Sequence, residues 1–304
     1  MEHQHSHNHT HHTHNVSGKN IGITILLNVV ITVAQAIGGT ISGSVALLTD
    51  ALHNLSDVIS LLLSYFTNRL AKRKSTTKQT FGFKRAEILS AFINSVTLIA
   101  IAIFLIVEAI ERFFNPQPIK ADLVIYFALG SIVINFISVL LLHNDAKDNM
   151  NMKSAYLHLL TDVMTSIAVM IGGILMKYFD IYRVDSVLSV LIAVYLIFSS
   201  YKLLWASIKI LMQFTPNEVD IPKITTAIAH IESVKNIHHV HIWQLNDKDL
   251  FFEAHIDLQK DIKITEFQIV LSHIEEVLAA NNITHFNIQP EFSRDDGKNL
   301  IIQH

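Results

Sequence analysis

Long apolar runs dominate the first two thirds of the chain. A helix that crosses the hydrocarbon core of a bilayer needs about 20 mostly apolar residues, and six runs reach that length. They cover residues 21–43, 45–69, 86–112, 121–143, 155–178 and 185–206. The pattern therefore predicts a polytopic α-helical membrane protein with six transmembrane helices.

The pattern changes at Pro216, which cannot continue the last helix. Beyond it, residues 251–258 are rich in β formers and partly alternate, whereas 264–281 has the period of a helix. We predict elements in the order αββαβ, at 220–233, 237–245, 250–258, 264–281 and 284–291. This order is typical of a compact α+β domain. The predicted organisation is a tail at 1–18, a membrane domain at 19–213, a soluble domain at 214–292 and a second tail at 293–304.

Composition supports the membrane assignment. Hydrophobic residues make up 50% of the 304 positions and charged residues only 16%, which is unusual for a soluble domain. The formal net charge of −3 argues against a nucleic-acid partner. The chain has no cysteine, so thiolate metal sites are excluded and a metal ion would be bound by histidine and carboxylate side chains.

Two of the apolar runs carry the same polar pair. His53 and Asp57 lie four residues apart in the second run, and His158 and Asp162 repeat this spacing in the fifth. Residues at i and i+4 share one face of a helix, and ionisable residues within a bilayer by default mark a substrate path, a proton relay or a buried partner. Two such faces can build one site with four ligands.

The chemistry of these four residues favours zinc. Two imidazoles and two carboxylates balance the charge of Zn²⁺ and form a tetrahedral shell, whereas Ca²⁺ and Mg²⁺ prefer oxygen ligands throughout. When the ion leaves, protons can replace its charge on the carboxylates and imidazoles. Metal release and proton uptake are therefore linked.

Two further groups of histidines lie outside the apolar runs. Seven of the first fourteen residues are histidine, which indicates a metal-binding tail rather than a signal peptide. The soluble domain has a second candidate metal site, for which the ligands are His238, His241, His255, His285 and Glu291. In a regular strand His238 and His241 face opposite sides, so not all of these residues can reach one ion. The alternative is a solvated strand end with satisfied histidines.

Basic residues predict the orientation. The loop between the second and third runs holds Lys72, Arg73, Lys74, Lys78, Lys84 and Arg85, whereas the link at 42–44 has no basic residue. By the positive-inside rule this loop is cytoplasmic. Six spans then place both termini in the cytoplasm.

Several segments resemble the cation diffusion facilitators, specifically the zinc-type branch that contains bacterial zinc/cobalt/cadmium efflux proteins and vesicular zinc transporters. The matching segments are 44–57, 81–87, 156–162, 238–243 and 287–289. The resemblance covers residues 19–292.

The resemblance implies a six-helix membrane domain, a ferredoxin-like cytoplasmic domain, a homodimer, and export of Zn²⁺, with Co²⁺ or Cd²⁺ as further candidates, in exchange for protons. It makes His53, Asp57, His158 and Asp162 the transport site. Relatives with aspartate at the position of His53 accept cadmium more readily, so His53 favours zinc. Some relatives hold an extra ion in the loop between the second and third helices, but residues 71–84 contain no histidine or acid here. For a bacterial source, the plasma membrane is expected.

Other classes of protein fit the residues less well. A passive channel needs a continuous polar lining with weak sites, and a membrane metalloenzyme keeps an open position for water. A membrane metal sensor that moves no ions is a third alternative. The chain has no GxxxxGK[ST] motif, which argues against ATP-driven pumping.

Overall fold

The computed structural model describes residues 18–71, 73–143, 150–294 and 297–301. The predicted histidine tail at 1–18 lies outside the described residues except for Gly18. The first six helices are α1 (Gly18–Ser42), α2 (Val45–Ala71), α3 (Ala86–Phe114), α4 (Ala121–Leu142), α5 (Met150–Phe179) and α6 (Arg183–Leu211). The later elements are α7 (Ile221–Ala229), β1 (Val234–Gln244), β2 (Leu250–Leu258), α8 (Ile264–Ala280) and β3 (His285–Glu291).

Five helices within the described residues are long and apolar enough to cross a membrane. They cover Gly22–Ser42, Ala86–Phe114, Ala121–Leu142, Tyr156–Phe179 and Arg183–Leu211. Large apolar side chains on them are exposed, for example Phe104 at 67% and Phe198 at 68%. Such surfaces suit lipid rather than water. The 27-residue helix α2 coincides with the remaining predicted span but is not among the five, so the count of six spans stays a prediction.

The described chain forms two compact units. The first unit contains the residues up to 59 together with residues 98–198, and the second contains residues 60–97 together with the residues from 199 onward. In the first unit, α4 packs along α1 and α5. Its largest group of buried apolar residues consists of Ala46, Leu47, Ala121, Val124, Ala128, Val169, Met176 and Ile192. Close approach of helices depends on glycine. A Cβ on Gly39 would stand 2.9 Å from the backbone nitrogen of Leu48.

The start of α2 is fixed by a carboxylate from α6. Gly43, at φ +79°, ends α1, and its N–H donates to Gly39 O (3.0 Å). Asp185 then accepts hydrogen bonds from the Ser44 hydroxyl, from Val45 N (2.7 Å) and from Ala46 N (3.3 Å). These amides belong to the first turn of α2 and have no partner within the helix. Asp185 therefore caps a helix that is not its own.

The soluble segment folds as a three-stranded sheet with two helices. The strand order is β1-β2-β3, in which β1 pairs antiparallel with β2 and β2 pairs parallel with β3. Helix α8 makes the crossover between the parallel strands, as a parallel pair requires. The buried core includes Ile224, Ile228, Val240, Phe252, Ala254, Ile256, Ile274, Leu278 and Ile283.

The predicted element order αββαβ is present, with shifted boundaries. Helix α7 ends at Ala229, four residues before its predicted end, because the chain turns at 230–233 with Ser233 at φ +77°. Strand β1 begins at Val234, three residues early, where Val234 pairs with Leu258. Strand pairing decides this boundary, and a single sequence does not reveal the partner. The ferredoxin-like assignment is finer than this architecture and stays a prediction.

Candidate metal-binding sites

The four polar residues predicted from the repeated pair meet between α2 and α5. His158 Nε2 lies 3.0 Å from Asp57 Oδ2, and His53 Nε2 lies 3.4 Å from Asp162 Oδ1. The pairs within each helix are longer, at 3.8 Å for His53 to Asp57 and 3.8 Å for His158 to Asp162. Each histidine therefore faces both carboxylates. We call these four residues the membrane cluster.

Two buried atoms of the membrane cluster lack a hydrogen-bond partner. The side chains of His53 and Asp162 are 7% and 2% exposed, and the Nε2 and Oδ1 atoms that face each other make no hydrogen bond. Buried polar atoms without partners are costly. His53, His158 and Asp162 each offer a ligand atom, and these atoms lie within 4.8 Å of one another. A divalent cation between them would satisfy the two orphaned atoms and balance the carboxylates.

A buried hydrogen-bond network lies one turn before His53. Gln35 on α1 donates from Nε2 to Asp50 Oδ2 (2.6 Å) and accepts at Oε1 from Asn54 Nδ2 (2.9 Å). Ser166 on α5 also donates to Asp50 Oδ2 (3.4 Å). All four residues are buried. The network ties α1 and α5 to the segment of α2 that carries His53, which is the interhelical role that amides and hydroxyls have in membranes.

A second group of ligands lies in the soluble segment. His238 on β1, His255 on β2 and Glu291 at the end of β3 offer ligand atoms within 4.8 Å of one another. His255 Nδ1 lies 2.9 Å from Glu291 Oε1, and His238 Nε2 lies 3.3 Å from Glu291 Oε2. We call these three residues the C-terminal cluster. Two imidazoles and a carboxylate form a set of three ligands that suits zinc.

Two of the five residues predicted for this site lie outside the C-terminal cluster. The β1–β2 register is irregular between His238 and His241, so that His238 pairs with His255 whereas His241 pairs with Glu253. His285 pairs with Phe251, at the opposite end of β3 from Glu291. Its ring centroid lies 4.3 Å from that of Phe251. Register, which a single strand does not reveal, separates both histidines from the cluster.

The charged neighbours of the C-terminal cluster were not among the residues predicted from the sequence. Asp257 Oδ2 lies 3.8 Å from His238 Nδ1. Lys298, in the chain after β3, donates to Asp257 Oδ1 (2.9 Å) and Glu291 Oε2 (3.1 Å), while Arg294 donates to Glu291 Oε1 (3.1 Å). Asp257 has the same parity as His255 on β2, a signal that could have identified it. Nothing in the pattern of the tail indicates the position of Lys298.

One ion pair joins the α2–α3 loop to the β1–β2 loop within the second compact unit. Lys84 Nζ donates to Asp249 Oδ2 at 2.6 Å, and the Phe81 ring contacts that of Phe251. The hydrogen bond from Lys84 holds the pKa of Asp249 below its ordinary value. The two loops therefore lie on the same side of any membrane that the long helices cross.

Comparisons with known proteins agree over nearly the whole chain. Residues 21–212 match the family model described as the cation efflux transmembrane domain, and residues 216–292 match that of the cation efflux protein cytoplasmic domain. The chain is 34% identical over 294 residues to the cadmium, cobalt and zinc/H⁺-K⁺ antiporter of Bacillus subtilis, covering 95% of this chain and 94% of that protein.

Two other relatives have similar coverage. The zinc transporter ZitB of Escherichia coli is 30% identical over 295 residues, which is 96% of this chain and 93% of the relative. The metal cation efflux system protein CzcD of Cupriavidus metallidurans is 31% identical over 276 residues, which is 90% and 87% of the two chains.

Proposed function

Because the chain belongs to the cation efflux, or cation diffusion facilitator, family of integral membrane transporters, we propose that it is a Zn²⁺/H⁺ antiporter that exports zinc from the cytoplasm. The two family matches confirm the resemblance to this family that the sequence shows. The prediction that the chain is not an enzyme is also confirmed, since members of this family are transporters.

The observation that carries the proposal is the meeting of His53, Asp57, His158 and Asp162 between two helices. These residues act as the transport site, in which two nitrogen and two oxygen ligands hold the ion tetrahedrally. Co²⁺ and Cd²⁺ are further substrates, in line with the metals named for the relatives. Zinc comes first because imidazole and carboxylate together suit it best.

Proton coupling follows from charge. The site carries two carboxylates in a poorly solvated position, so leaving both negative charges uncompensated when zinc leaves would be costly. Protons on the carboxylates and imidazoles replace the ion, and the protonated site returns to the other side. Alternating access of one site then exchanges zinc for protons without a continuous pore.

The arrangement in the membrane completes the proposal. Six spans, with α2 as the sixth, place both termini in the cytoplasm, and the pairing of Lys84 with Asp249 supports a cytoplasmic position for the α2–α3 loop and the soluble domain together. The membrane domain is 19–213 and the ferredoxin-like domain 214–292, a division that the family matches at 21–212 and 216–292 support. Two copies assemble through the soluble domain, and for a bacterial source the membrane is the plasma membrane.

The C-terminal cluster binds a second zinc ion in this proposal. His238, His255 and Glu291 hold it, with Asp257 as the nearest additional carboxylate. His241 and His285, which the sequence also suggested, lie elsewhere in the register and have no part in it. A bound ion at this position would link all three strands, through His238 and His255 within β1 and β2 and Glu291 at the end of β3.

Zinc flux into proteoliposomes under an imposed pH gradient tests the transport function. Asp57→Ala and Asp162→Ala should each abolish the gradient-dependent flux, whereas Asp122→Ala, which removes an exposed carboxylate at the start of α4, should not. Zinc flux that does not depend on the pH gradient would instead indicate a passive channel. Tight zinc binding without any flux would indicate a membrane metal sensor.

A further inference from the structure

The C-terminal cluster already holds a cation that the chain supplies. Lys298 Nζ lies 2.9 Å from Asp257 Oδ1, 3.1 Å from Glu291 Oε2 and 3.5 Å from His238 Nε2. Two of these atoms, on Glu291 and His238, belong to residues of the C-terminal cluster. The ammonium group therefore lies among the atoms that a metal ion would need.

The backbone delivers Lys298 to this position. Strand β1 is irregular after His238, and His239 has φ +53°, so the next two amides do not follow the β2 ladder. His239 N donates to Asn299 O (3.2 Å) and Val240 N donates to Leu300 O (2.8 Å). Leu300 also packs against the core of the soluble segment. The two residues that directly follow Lys298 are thus attached to β1.

An ammonium group and a divalent ion exclude each other here. Asp257 and Glu291 are 7% and 5% exposed and need positive charge close by. Lys298 and Arg294 supply two unit charges, the same total that one Zn²⁺ ion brings. A zinc ion bound to Glu291 Oε2 and His238 Nε2 at about 2.0–2.2 Å would stand in contact with Nζ, and the two cations would repel each other.

We propose that Lys298 is a built-in competitor of zinc at the C-terminal cluster. The ion enters only when the ammonium group withdraws, so the lysine raises the zinc concentration at which the cluster fills. In the absence of zinc, the same lysine stabilises the two buried carboxylates. The proposal rests on the proposed function of the cluster as a zinc site, and it adds the regulation of that site.

The first measurement separates the two claims. Zinc bound per chain is determined by equilibrium dialysis on the purified full-length protein and on His255→Ala. If the cluster binds zinc, the variant should bind roughly one ion fewer per chain. Equal binding by the two proteins would show that the cluster is not a zinc site, and the proposed function of the cluster would fail before the lysine is considered.

The second measurement follows Lys298 itself. An amine-reactive reagent with a mass-spectrometric readout reports how accessible each lysine is, and Lys260 serves as an exposed control in the same sample. Zinc should increase the labelling rate of Lys298 several-fold, leave Lys260 unchanged, and lose its effect in His255→Ala. If zinc fills the cluster while the labelling of Lys298 stays constant, the competition model is wrong.

The third measurement changes the competitor. Lys298→Gln keeps a polar side chain without charge and should bind zinc at the cluster about tenfold more tightly, which corresponds to the loss of one partly exposed charged contact. Lys298→Arg keeps the charge and should behave like the native chain, as should Lys260→Gln. Equal zinc affinity in Lys298→Gln and the native chain would contradict the proposal.

Discussion

His158 Nε2 lies 3.0 Å from Asp57 Oδ2, although 101 residues separate the two positions. The same crossing brings His53 to Asp162, so that each helix supplies one histidine and one aspartate to a site shared with the other. A change in the crossing of α2 and α5 would separate all four side chains at once. The proposed metal site therefore depends on helix packing as much as on ligand identity.

Replacing His53 with aspartate should weaken the preference for zinc. His53→Asp gives one imidazole and three carboxylates, and a carboxylate can bind through both oxygens, which supports the higher coordination numbers of larger ions. The ratio of zinc to cadmium transport should fall about tenfold, or roughly 1.4 kcal/mol. Competition flux in proteoliposomes measures it. The control His143→Asp, which lies just beyond α4, should keep the native ratio.

A methyl group at Gly39 should separate α1 from α2. The added Cβ would stand 2.9 Å from Leu48 N and 3.0 Å from Leu48 Cα, and these backbone atoms cannot rotate away as a side chain would. Gly39→Ala should cost about 1–3 kcal/mol and lower the melting temperature in detergent. Gly22→Ala on the same helix meets no atom within 4 Å and should be neutral or slightly stabilising. Equal effects of the two substitutions would contradict this account.

Loss of Asp185 should weaken the first turn of α2. Asp185→Ala removes the acceptor of Val45 N and Ala46 N, and the cost should be about 0.5–2 kcal/mol, as for other helix caps. Thermal unfolding measures the loss. Asp185→Asn keeps one side-chain oxygen as acceptor and should lose less stability. The exposed control Asp261→Ala should change nothing, and a matching loss there would show that the effect is not specific to the cap.

The ion pair between Lys84 and Asp249 should give a pH-dependent contribution to stability. Because the hydrogen bond from Lys84 lowers the pKa of Asp249, the contribution is present above the ordinary aspartate pKa of about 3.9 and is lost as the pH falls through the lower folded-state pKa. Both side chains are about a third or more exposed, so the pair is worth at most about 1 kcal/mol.

Lys84→Gln should therefore lower the melting temperature at pH 7 by about 2–4 °C or less. The difference between the two proteins should disappear in acid and shrink at high salt. Lys78→Gln, in the same loop, is the control. A difference that persists at pH values where Asp249 is protonated would mean that Lys84 acts through another contact.

The membrane cluster could be predicted because helical periodicity fixes which residues share a face. His53 with Asp57, and His158 with Asp162, needed no knowledge of the partner helix to be placed together. The lengths of the apolar runs also indicated the five described helices that are long and apolar enough to cross a membrane. Helical spacing within each helix thus predicts both pairs of the membrane cluster, whereas the packing of α2 against α5 is not local and does not follow from this spacing.

The C-terminal cluster and its surroundings could be predicted only in part, because its members come from three strands and its neighbour Lys298 comes from the tail. His285 and Glu291 lie at opposite ends of β3, and the strand pairing, which decides which end meets His255, is not local. Lys298 reaches the cluster through hydrogen bonds to the irregular part of β1. Neither relationship leaves a pattern in the sequence that could be read in advance.

The cap that Asp185 provides for α2 also restricts the movements that are open to this helix. If α2 slid along α6, Val45 N and Ala46 N would lose their hydrogen-bond acceptor, so a translation of the first turn of α2 is costly. Tilting about the capped turn keeps those hydrogen bonds. Any tilt of α2 would therefore pivot about its first turn, and His53 and Asp57, two and three turns beyond it, would move through arcs that grow with their distance from it.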